Sequence, residues 1–436
     1  MTHRQRTRFP LLGAALAAAG LLVASPAFPS GFQIMTQGAR ATGMGLAFTA
    51  VANDPSAIFY NPAGLGWMEH YEASVGGSLL SRVKGDFEGS NPYPGSVTEH
   101  YQKQNFLLPT IYAVAPLMKD LNFGLGVFAP YGLGLRWENP ETWTGRFISQ
   151  NAVIQSTDVN PVLSFRIVPQ LAIAAGADLR FSKVQLERNQ AAVNPFTNSV
   201  VDVAHIKLNS DLVDNHGWGW NVGLLFKPVE MFSIGAAYRS KITVDYDGKA
   251  KFTQRPTGNA AFDAAVGAQL PKGEHAVKTS IEFPATVNIG VAVQAMPPLT
   301  VSAEADWTQW SSFQSLDILF PDLPALAIHR QDLWKNSWAY RVGLEYKVTR
   351  EFAVRAGYYY DKTPQPLFDA GPILSDNNRN VYTIGFGYNT ERWGVDIGDA
   401  YIRFKDRDAR SANTDNFFGI YKESANVGSI NFRFAF

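Results

Sequence analysis

The chain has 436 residues, with 38 basic side chains, 38 acidic side chains and no cysteine. The balanced charge provides no basic footprint for nucleic acid, and the absence of thiols excludes disulfides, thiolate chemistry and cysteine-ligated metal. Charged residues make up only 17% of the chain, against roughly 25% in soluble domains, and this deficit needs a structural explanation.

A secretory signal is predicted at the N-terminus. Three arginines precede an apolar run from Leu11 to Val23, and a small-residue stretch follows that ends at Ala27. The run is too short to span a bilayer as a helix, which favours a cleaved signal over a retained anchor. We expect cleavage after Ala27 and a mature, exported chain that begins near Phe28.

The segment from Ser30 to Met68 is rich in glycine, alanine and small polar residues, and its only charges are Arg40 and Asp54. No apolar period of 3.6 or two residues persists through it. Such a segment cannot form a core alone, so it must be enclosed. We therefore predict three parts: a signal peptide over 1–27, a plug or hatch over 28–70, and an enclosing domain over 71–436.

From Glu72 onward, short segments alternate between apolar and polar residues and are separated by clusters of Gly, Pro, Asn and Asp. Clear examples are 73–87, 170–188 and 352–360. This alternation predicts β-strands throughout the enclosing domain. The longest uncharged stretch, from Phe283 to Ala303, is interrupted by prolines and a glycine, so it is interpreted as two strands around a turn and not as a helix.

The pattern at the strand ends favours an all-β transmembrane antiparallel barrel over a soluble sandwich. Tryptophan and tyrosine lie at many strand ends, for example Trp218 and Trp393, as interfacial girdles require. Phenylalanines at 432, 434 and 436 share one face of the last segment, and this ending resembles the assembly signal of bacterial outer-membrane proteins. We expect about 12 to 16 strands, with outer-membrane lipid, lipopolysaccharide and the barrel assembly machinery as partners.

Two residues depart from a regular barrel strand. Asp399 has the parity of the outward residues Trp393 and Ile397, so it is expected at the head-group level or beside a bulge, because a charge at mid-membrane is costly. Pro130 lies near the middle of the strand 122–137, and proline cannot donate to a β-ladder. A kink or opening is predicted at Pro130, Tyr131 and Gly132, unless the strand has already passed the membrane rim there.

Short segments along the whole mature chain form an ordered series. In chain order they are Gly31-Phe32-Gln33, Gln37-Gly38-Ala39, Asn61-Pro62-Ala63, 217–223, Tyr238-Arg239-Ser240, Trp334-Lys335, 340–343 and 431–436. This series resembles the FadL/TodX family of outer-membrane transporters for long-chain fatty acids and hydrocarbons. The resemblance implies a 14-stranded barrel closed by an internal hatch. It also implies capture of a hydrophobic ligand by extracellular loops, binding in the lumen, and passive release through a gap in the wall at a kinked third strand.

The resemblance also implies roles for individual residues. Arg188 and Arg330 align with basic positions that contact a fatty acid head group in the family, and Phe32 would line the pocket. Both basic positions together favour a long-chain fatty acid over a neutral monoaromatic or other hydrocarbon. The alternative for the two arginines is a lumen ion-pair network, and for Phe32 it is core packing.

Further residues are implied at the gate and on the loops. The tripeptide Asn61, Pro62 and Ala63 would hold the hatch near the wall opening, although Asn61 also suits a turn before a proline. The loop 138–151 is expected to be extracellular. Its apolar residues Trp143, Phe147 and Ile148 would form a capture surface, or a purely structural cap.

Other function classes fit the sequence less well. There is no G-x-S-x-G or H-E-x-x-H motif, so no enzyme, cofactor or metal site is expected. A general porin lacks a hatch, and an adhesive barrel remains an open alternative. We expect a hydrophobic small molecule as the ligand, no nucleic acid partner, and a monomer.

Overall fold

The computed structural model describes residues 31–411 and 413–436. The predicted signal peptide, its cleavage site and the expected mature start at Phe28 lie outside the described residues. Within the described ranges, no helix is long and apolar enough to cross a membrane.

The described chain is built mainly from β-strands. In chain order they are β1 (Glu72–Gly89), β2 (Thr98–His100), β3 (Asn105–Met118), β4 (Leu121–Phe128), β5 (Gly132–Arg136), β6 (Asn151–Val168), β7 (Leu171–Asn194), β8 (Ser199–Ser210), β9 (His216–Val229), β10 (Phe232–Arg239), β11 (Ile242–Gln254), β12 (Glu274–Phe283), β13 (Thr286–Met296), β14 (Leu299–Thr308), β15 (Ser315–Ile318), β16 (Ile328–Gln331), β17 (Ser337–Lys347), β18 (Phe352–Asp361), β19 (Arg379–Asn389), β20 (Trp393–Phe404), β21 (Arg407–Asp408) and β22 (Gly419–Ala435). The α-helices are α1 (Ala39–Gly43), α2 (Ala57–Tyr60) and α3 (Ala260–Gln269), and short 3-10 helices cover Pro62–Trp67, Trp310–Ser312, Pro324–Leu326 and Leu367–Asp369.

The strands form a closed antiparallel barrel of 14 wall strands. Around the wall the order is β1, β3, β4 with β5, β6, β7, β9, β10, β13, β14, β17, β18, β19, β20 and β22, and β22 pairs with β1 to close the ring. This confirms the predicted fold class and lies within the expected range of strand numbers. The uncharged stretch 283–303 forms β13 and the start of β14 around a turn, as predicted.

The two faces of the wall have the chemistry of a membrane barrel. In β17, Trp338 and Tyr340 are exposed on the outer face, whereas Arg341 and Glu345 are buried in the lumen. The same alternation continues along the other wall strands, and the phenylalanines of β22 point outward. The apolar outer face suits contact with lipid, and the polar inner face suits contact with water or a plug.

Asp399 follows its predicted parity and points outward from β20. Its carboxylate accepts a hydrogen bond from the Asn426 amide of β22 at 2.9 Å, and the residue is half-buried. It lies one outward position from Tyr401, and the register of β20 with β19 and β22 is unbroken at this residue, so no bulge accompanies it. The amide partner partly compensates the carboxylate where the wall faces lipid.

The long-loop end of the barrel extends well past the girdle. Strand β7 pairs with β9 as far as Phe181, and from Gln185 to Asn194 it pairs with β8 instead. Strand β11 pairs with both β8 and β12. We call this extension (185–194 with β8, β11 and β12) the crown. Long loops face outside the cell in outer-membrane barrels, so the crown forms an extracellular rim.

The described part of the predicted hatch, 31–70, fills the lumen. The Arg40 guanidinium pairs with Glu345 of β17, with Nε and Oε2 separated by 2.8 Å. The Thr49 amide donates to Glu304 of β14 at 2.7 Å. Isolated charges are costly in a protein interior. These contacts give the buried charges of the hatch and the wall their partners.

The wall provides glycines where the hatch backbone passes closest. A Cβ atom at Gly343 would lie 2.2 Å from the Met44 carbonyl oxygen, and one at Gly235 would lie 2.2 Å from that of Thr49. No side chain fits at such distances, so the hatch is held by direct backbone contact with the barrel.

Candidate functional site

A large cavity opens at the crown. Its volume is about 840 Å³, and most of its wall is apolar, with Val203, Phe252 and Ile318 among the lining residues. Arg188 and Arg330 also line it. We call it the upper cavity. Its position under the extracellular loops makes it the first enclosed space that a molecule from outside would reach.

A second, smaller cavity of about 80 Å³ lies against the hatch. Ile154, Val184 and Trp334 are among its walls, and Phe32 of the hatch contributes to its lining. We call it the lower cavity. The two cavities share Leu186, Leu316, Ile318, Arg330 and Ile373 as lining residues, so they are adjacent compartments of one apolar site.

Phe32 lies in a cage of aromatic rings. Its ring centroid is 4.8 Å from that of Trp310, 5.4 Å from Phe313 and 5.7 Å from Trp334, and the residue is 1% exposed. The preceding Gly31 has φ +63°, and a Cβ atom there would lie 2.6 Å from the Trp334 ring. Phe32 therefore both packs in the core and lines the lower cavity, so the two sequence interpretations of it are compatible.

Arg188 is the cation of the site that has no acidic partner. Within 31–411 and 413–436, no carboxylate lies within ion-pair distance of its guanidinium, and the neighbouring Glu187 instead pairs with Lys207 at 3.2 Å. Burial lowers the pKa of Arg188 below its usual value. A half-buried cation without a counterion is a ready partner for an anionic group.

Arg330 has the opposite environment. Its guanidinium contacts Asp415 at 2.8 Å, Asp369 at 2.9 Å and Asp332 at 3.2 Å. Three carboxylates already occupy its donors, as the ion-pair alternative anticipated. The prediction that Arg330 contacts a ligand head group remains a prediction, and this geometry does not favour it.

The wall ladder is interrupted at the predicted kink. Strands β3 and β4 pair only as far as Ile111 and Val127, and β5 pairs with β6 alone. If the register continued, Pro109 would face Ala129 and Pro130 would face Leu108. Proline has no amide hydrogen, and successive opposite pairs of an antiparallel ladder alternate between bonded and non-bonded, so one of these two adjacent positions lacks a donor where the ladder ends. We call this interruption between β3 and 128–132 the gap.

The hatch bonds directly to the interrupted segment. The Ile34 amide donates to the Pro130 carbonyl at 2.7 Å, and the Gly132 amide donates to the Phe32 carbonyl at 2.8 Å. The side chain of Gln37 donates to the Ala129 carbonyl at 2.7 Å. Backbone groups that the wall leaves unpaired are thus satisfied by the hatch.

Gln37 is a functional candidate to which the sequence analysis gave no role. It is fully buried, and its own carbonyl accepts from the Tyr112 hydroxyl of β3 at 2.8 Å. It therefore connects β3 to Ala129 across the gap. The sequence signals available were a polar amide within a small-residue segment that must be enclosed, and the place of Gln37-Gly38-Ala39 in the motif series.

The Asn61-Pro62-Ala63 tripeptide is bonded to strands β6 and β9 of the wall. The Asn61 amide donates to the Leu224 carbonyl of β9 at 3.0 Å, and the Ala63 carbonyl accepts from Ser164 of β6 at 3.2 Å. Pro62 lines a cavity of about 20 Å³ together with Pro130. The tripeptide thus anchors the hatch beside the kink, while the bonds at the kink itself come from 32–37.

The loop 138–151 divides its apolar residues between two roles. Trp143 is buried and stacks on Trp137, with ring centroids 3.8 Å apart and an interplanar angle of 9°. Phe147 and Ile148 line the upper cavity. Of the predicted capture residues, these two lie at the cavity, whereas Trp143 supports the loop from within.

Comparison with known proteins agrees with this architecture. Residues 20–436 match the family described as outer membrane protein transport protein (OMPP1/FadL/TodX). The chain belongs to the FadL/TodX family. This membership confirms the resemblance predicted from the ordered motif series, and it places the protein in the outer membrane.

Individual FadL/TodX relatives are distant but extend over almost the whole chain. A long-chain fatty acid transport protein of Escherichia coli is 22% identical over 416 residues, which cover 89% of this chain and 90% of that protein. A 47 kDa outer membrane protein of Pasteurella multocida is 25% identical over 434 residues, or 97% of both chains.

Solved structures of the FadL/TodX family have the same fold. A Pseudomonas aeruginosa FadL homologue has a TM-score of 0.76 at 22% identity, covering 92% of this chain and 99% of its own. The toluene transporter TodX of P. putida has a TM-score of 0.69 at 17% identity, covering 88% and 94%. At these identities the likeness establishes the barrel fold and leaves the ligand open.

Proposed function

We propose that this outer-membrane transport protein takes up hydrophobic molecules passively and releases them sideways into the membrane. One observation supports this proposal most strongly. The apolar site ends at Phe32, whose carbonyl is bonded to Gly132, in the same segment where the wall ladder is interrupted. The end of the binding site and the gap in the wall therefore meet at one short piece of the hatch.

Entry begins at the crown. A hydrophobic molecule reaches the upper cavity past Phe147 and Ile148 and loses its contact with water there, which is favourable by about 25 cal/mol per Å² of apolar surface. The lower cavity continues the apolar path toward Phe32. No energy source is needed, because the molecule moves down its own gradient.

Release requires the hatch segment to move. Three hydrogen bonds connect this segment to 129–132: Ile34 and Gln37 donate to the wall, and the Phe32 carbonyl accepts from it. Each bond contributes about 1 kcal/mol. A ligand that displaces Phe32 from its aromatic cage would loosen the same segment. The apolar residues Leu108 and Leu133, both buried near the gap, would line the exit toward lipid.

Two ligand classes have specific support. The unpartnered Arg188 favours an amphipathic acid such as a long-chain fatty acid, the substrate named for the Escherichia coli relative. The apolar lower cavity and the compensated Arg330 favour a neutral hydrocarbon, as named for the P. putida transporter. We propose a fatty acid as the first candidate and a neutral hydrocarbon as the second.

A disulfide between hatch and wall tests the release step. Gln33 and Tyr131 are Cα partners of an antiparallel bridge, and the flanking bonds make them a non-hydrogen-bonded pair, whose Cα separation of about 4.5 Å suits a disulfide. The chain has no native cysteine. Oxidised Gln33→Cys/Tyr131→Cys protein should lose uptake of labelled fatty acid or arene in cells, and reduction should restore it.

The two single-cysteine variants, treated with the same oxidant, provide the matched control and should not respond. Uptake that is equally fast in the oxidised and reduced double variant would contradict release through movement of this segment.

A further inference from the structure

The group around Arg330 is an acidic cluster formed by Asp332, Asp369 and Asp415. Asp369 also accepts hydrogen bonds from Trp334 at 2.7 Å and from Gln365 at 3.2 Å, so its carboxylate is fully used. Asp332 and Asp415 each use one oxygen for Arg330, and their second oxygens, both Oδ2, are buried without a hydrogen-bond partner in the described chain. Three acidic side chains therefore surround one cation.

This cluster lies at the junction of the two cavities. Arg330 lines both of them, Asp415 lines the upper one, and Asp332 and Asp369 line the lower one. Asp332 is only 3% exposed, so its unpartnered oxygen is shielded from bulk water at the cavity lining. Arg330, which the three carboxylates contact, is therefore part of the wall that the two cavities share.

Nearby charges do not cancel the acidic excess. Arg407 donates to the Gln365 carbonyl at 2.7 Å and interacts with Asp376. Asp376 also faces Arg379, which is paired with Asp361, so these two cations and two carboxylates balance. At the outer rim, His329 is paired with Asp317 at 2.9 Å. The junction therefore keeps more negative than positive charge.

Ionisation of Asp332 is already disfavoured within the cluster. Burial, and next the proximity of Asp369, raise the pKa of Asp332 to about 8. Like charges that share a poorly solvated site disfavour ionisation of one another. The carboxylate of a ligand would experience the same repulsion at this position.

We infer that the acidic cluster around Arg330 acts as a charge filter, which admits neutral molecules to the lower cavity and holds an ionised carboxylate in the upper cavity at Arg188. This inference rests on the proposed function and specifies its substrates. Neutral hydrocarbons and long-chain alcohols pass freely. A fatty acid binds above the filter as an anion, and only its protonated form continues to the exit.

A matched pair of ligands separates charge from hydrophobicity. Dodecanoate and dodecan-1-ol have the same chain length, and at pH 8 the free acid in water is ionised. Initial uptake of each labelled ligand is measured in Gram-negative cells that lack their own fatty acid transporter, with empty-vector cells as background. We expect wild-type protein to transport the alcohol faster than the acid.

The test variant is Asp332→Asn with Asp415→Asn. Each substitution keeps the oxygen bonded to Arg330 and replaces an oxygen that has no partner, so the barrel should assemble. The acid-to-alcohol uptake ratio should rise on the order of tenfold, because unit charges at close range contribute kilocalories in a partly buried site. The control Asp317→Asn removes a rim charge outside both cavities and should leave the ratio unchanged.

The outcomes separate the filter from the function. If the ratio does not rise in the double variant, or rises equally in Asp317→Asn, the filter is refuted while transport stands. If wild-type cells take up neither ligand above background, the proposed function itself is wrong. Should the double variant fail to assemble, Asp415→Asn alone must give a smaller rise in the same direction for the filter to hold.

Discussion

Replacing Arg188 by glutamine should selectively weaken the binding of anionic ligands. The guanidinium lines the upper cavity and has no carboxylate partner in the described chain, so the substitution removes no ion pair of the folded barrel. A hydrogen bond to a charged group contributes about 1.5–3 kcal/mol, and 1.4 kcal/mol corresponds to tenfold in affinity. The Kd for dodecanoate should therefore rise roughly 10- to 150-fold.

The purified barrel allows this to be measured directly. Tryptophan fluorescence or calorimetric titration with dodecanoate gives the Kd, and dodecan-1-ol serves as the neutral ligand, for which the Kd should change less than about twofold. Arg410→Gln is the matched control variant, since Arg410 is exposed, pairs with Asp408 and lines neither cavity. An unchanged Kd for dodecanoate, or an equal loss for both ligands, would refute the assignment of Arg188 to the head group.

Three further substitutions test the remaining architecture. Arg330→Gln leaves three carboxylates without their cation and should destabilise the fold by about 3–5 kcal/mol, visible as a lower unfolding temperature in heat-modifiability gels; an unchanged temperature would contradict the network. Pro130→Val restores one amide donor on the edge whose Pro130 carbonyl now bonds to the hatch, worth about 1 kcal/mol, so uptake should fall while heat resistance rises; faster uptake would argue against a wall exit. Gly223→Val places a Cβ atom 2.3 Å from the Asn61 side-chain oxygen and should displace the hatch, with raised conductance in planar bilayers; a closed, quiet barrel would show that the contact is not needed.

The fold was predictable because its signals are local. Side-chain alternation, interfacial aromatics and the phenylalanines of β22 each span only a few neighbouring residues, and membrane insertion restricts them to one architecture. Pro130 was informative for the same reason, since a proline removes an amide donor from its strand whatever the rest of the fold. The outward direction of Asp399 also followed from parity alone.

The electrostatics of the site could not be predicted in this way. Arg188 and Arg330 are equivalent as sequence letters, but Asp369 and Asp415 reach Arg330 from 39 and 85 residues away. Only closure of the barrel brings them together, so the difference between a free and a compensated arginine is a property of the tertiary structure. The burial of Trp143 against Trp137 depends likewise on how the loop folds back.

The seating of the hatch has a consequence for biogenesis. The Ala39 amide donates to Asn431 at 2.7 Å, so α1, the first helix of the described residues, is bonded to β22, the last strand to be synthesised. Because β22 also forms the seam with β1, the ring closes around residues that precede β1. We expect the hatch to enter the nascent barrel before the seam is made, so that the earliest exported segment serves as the template on which the final strand docks.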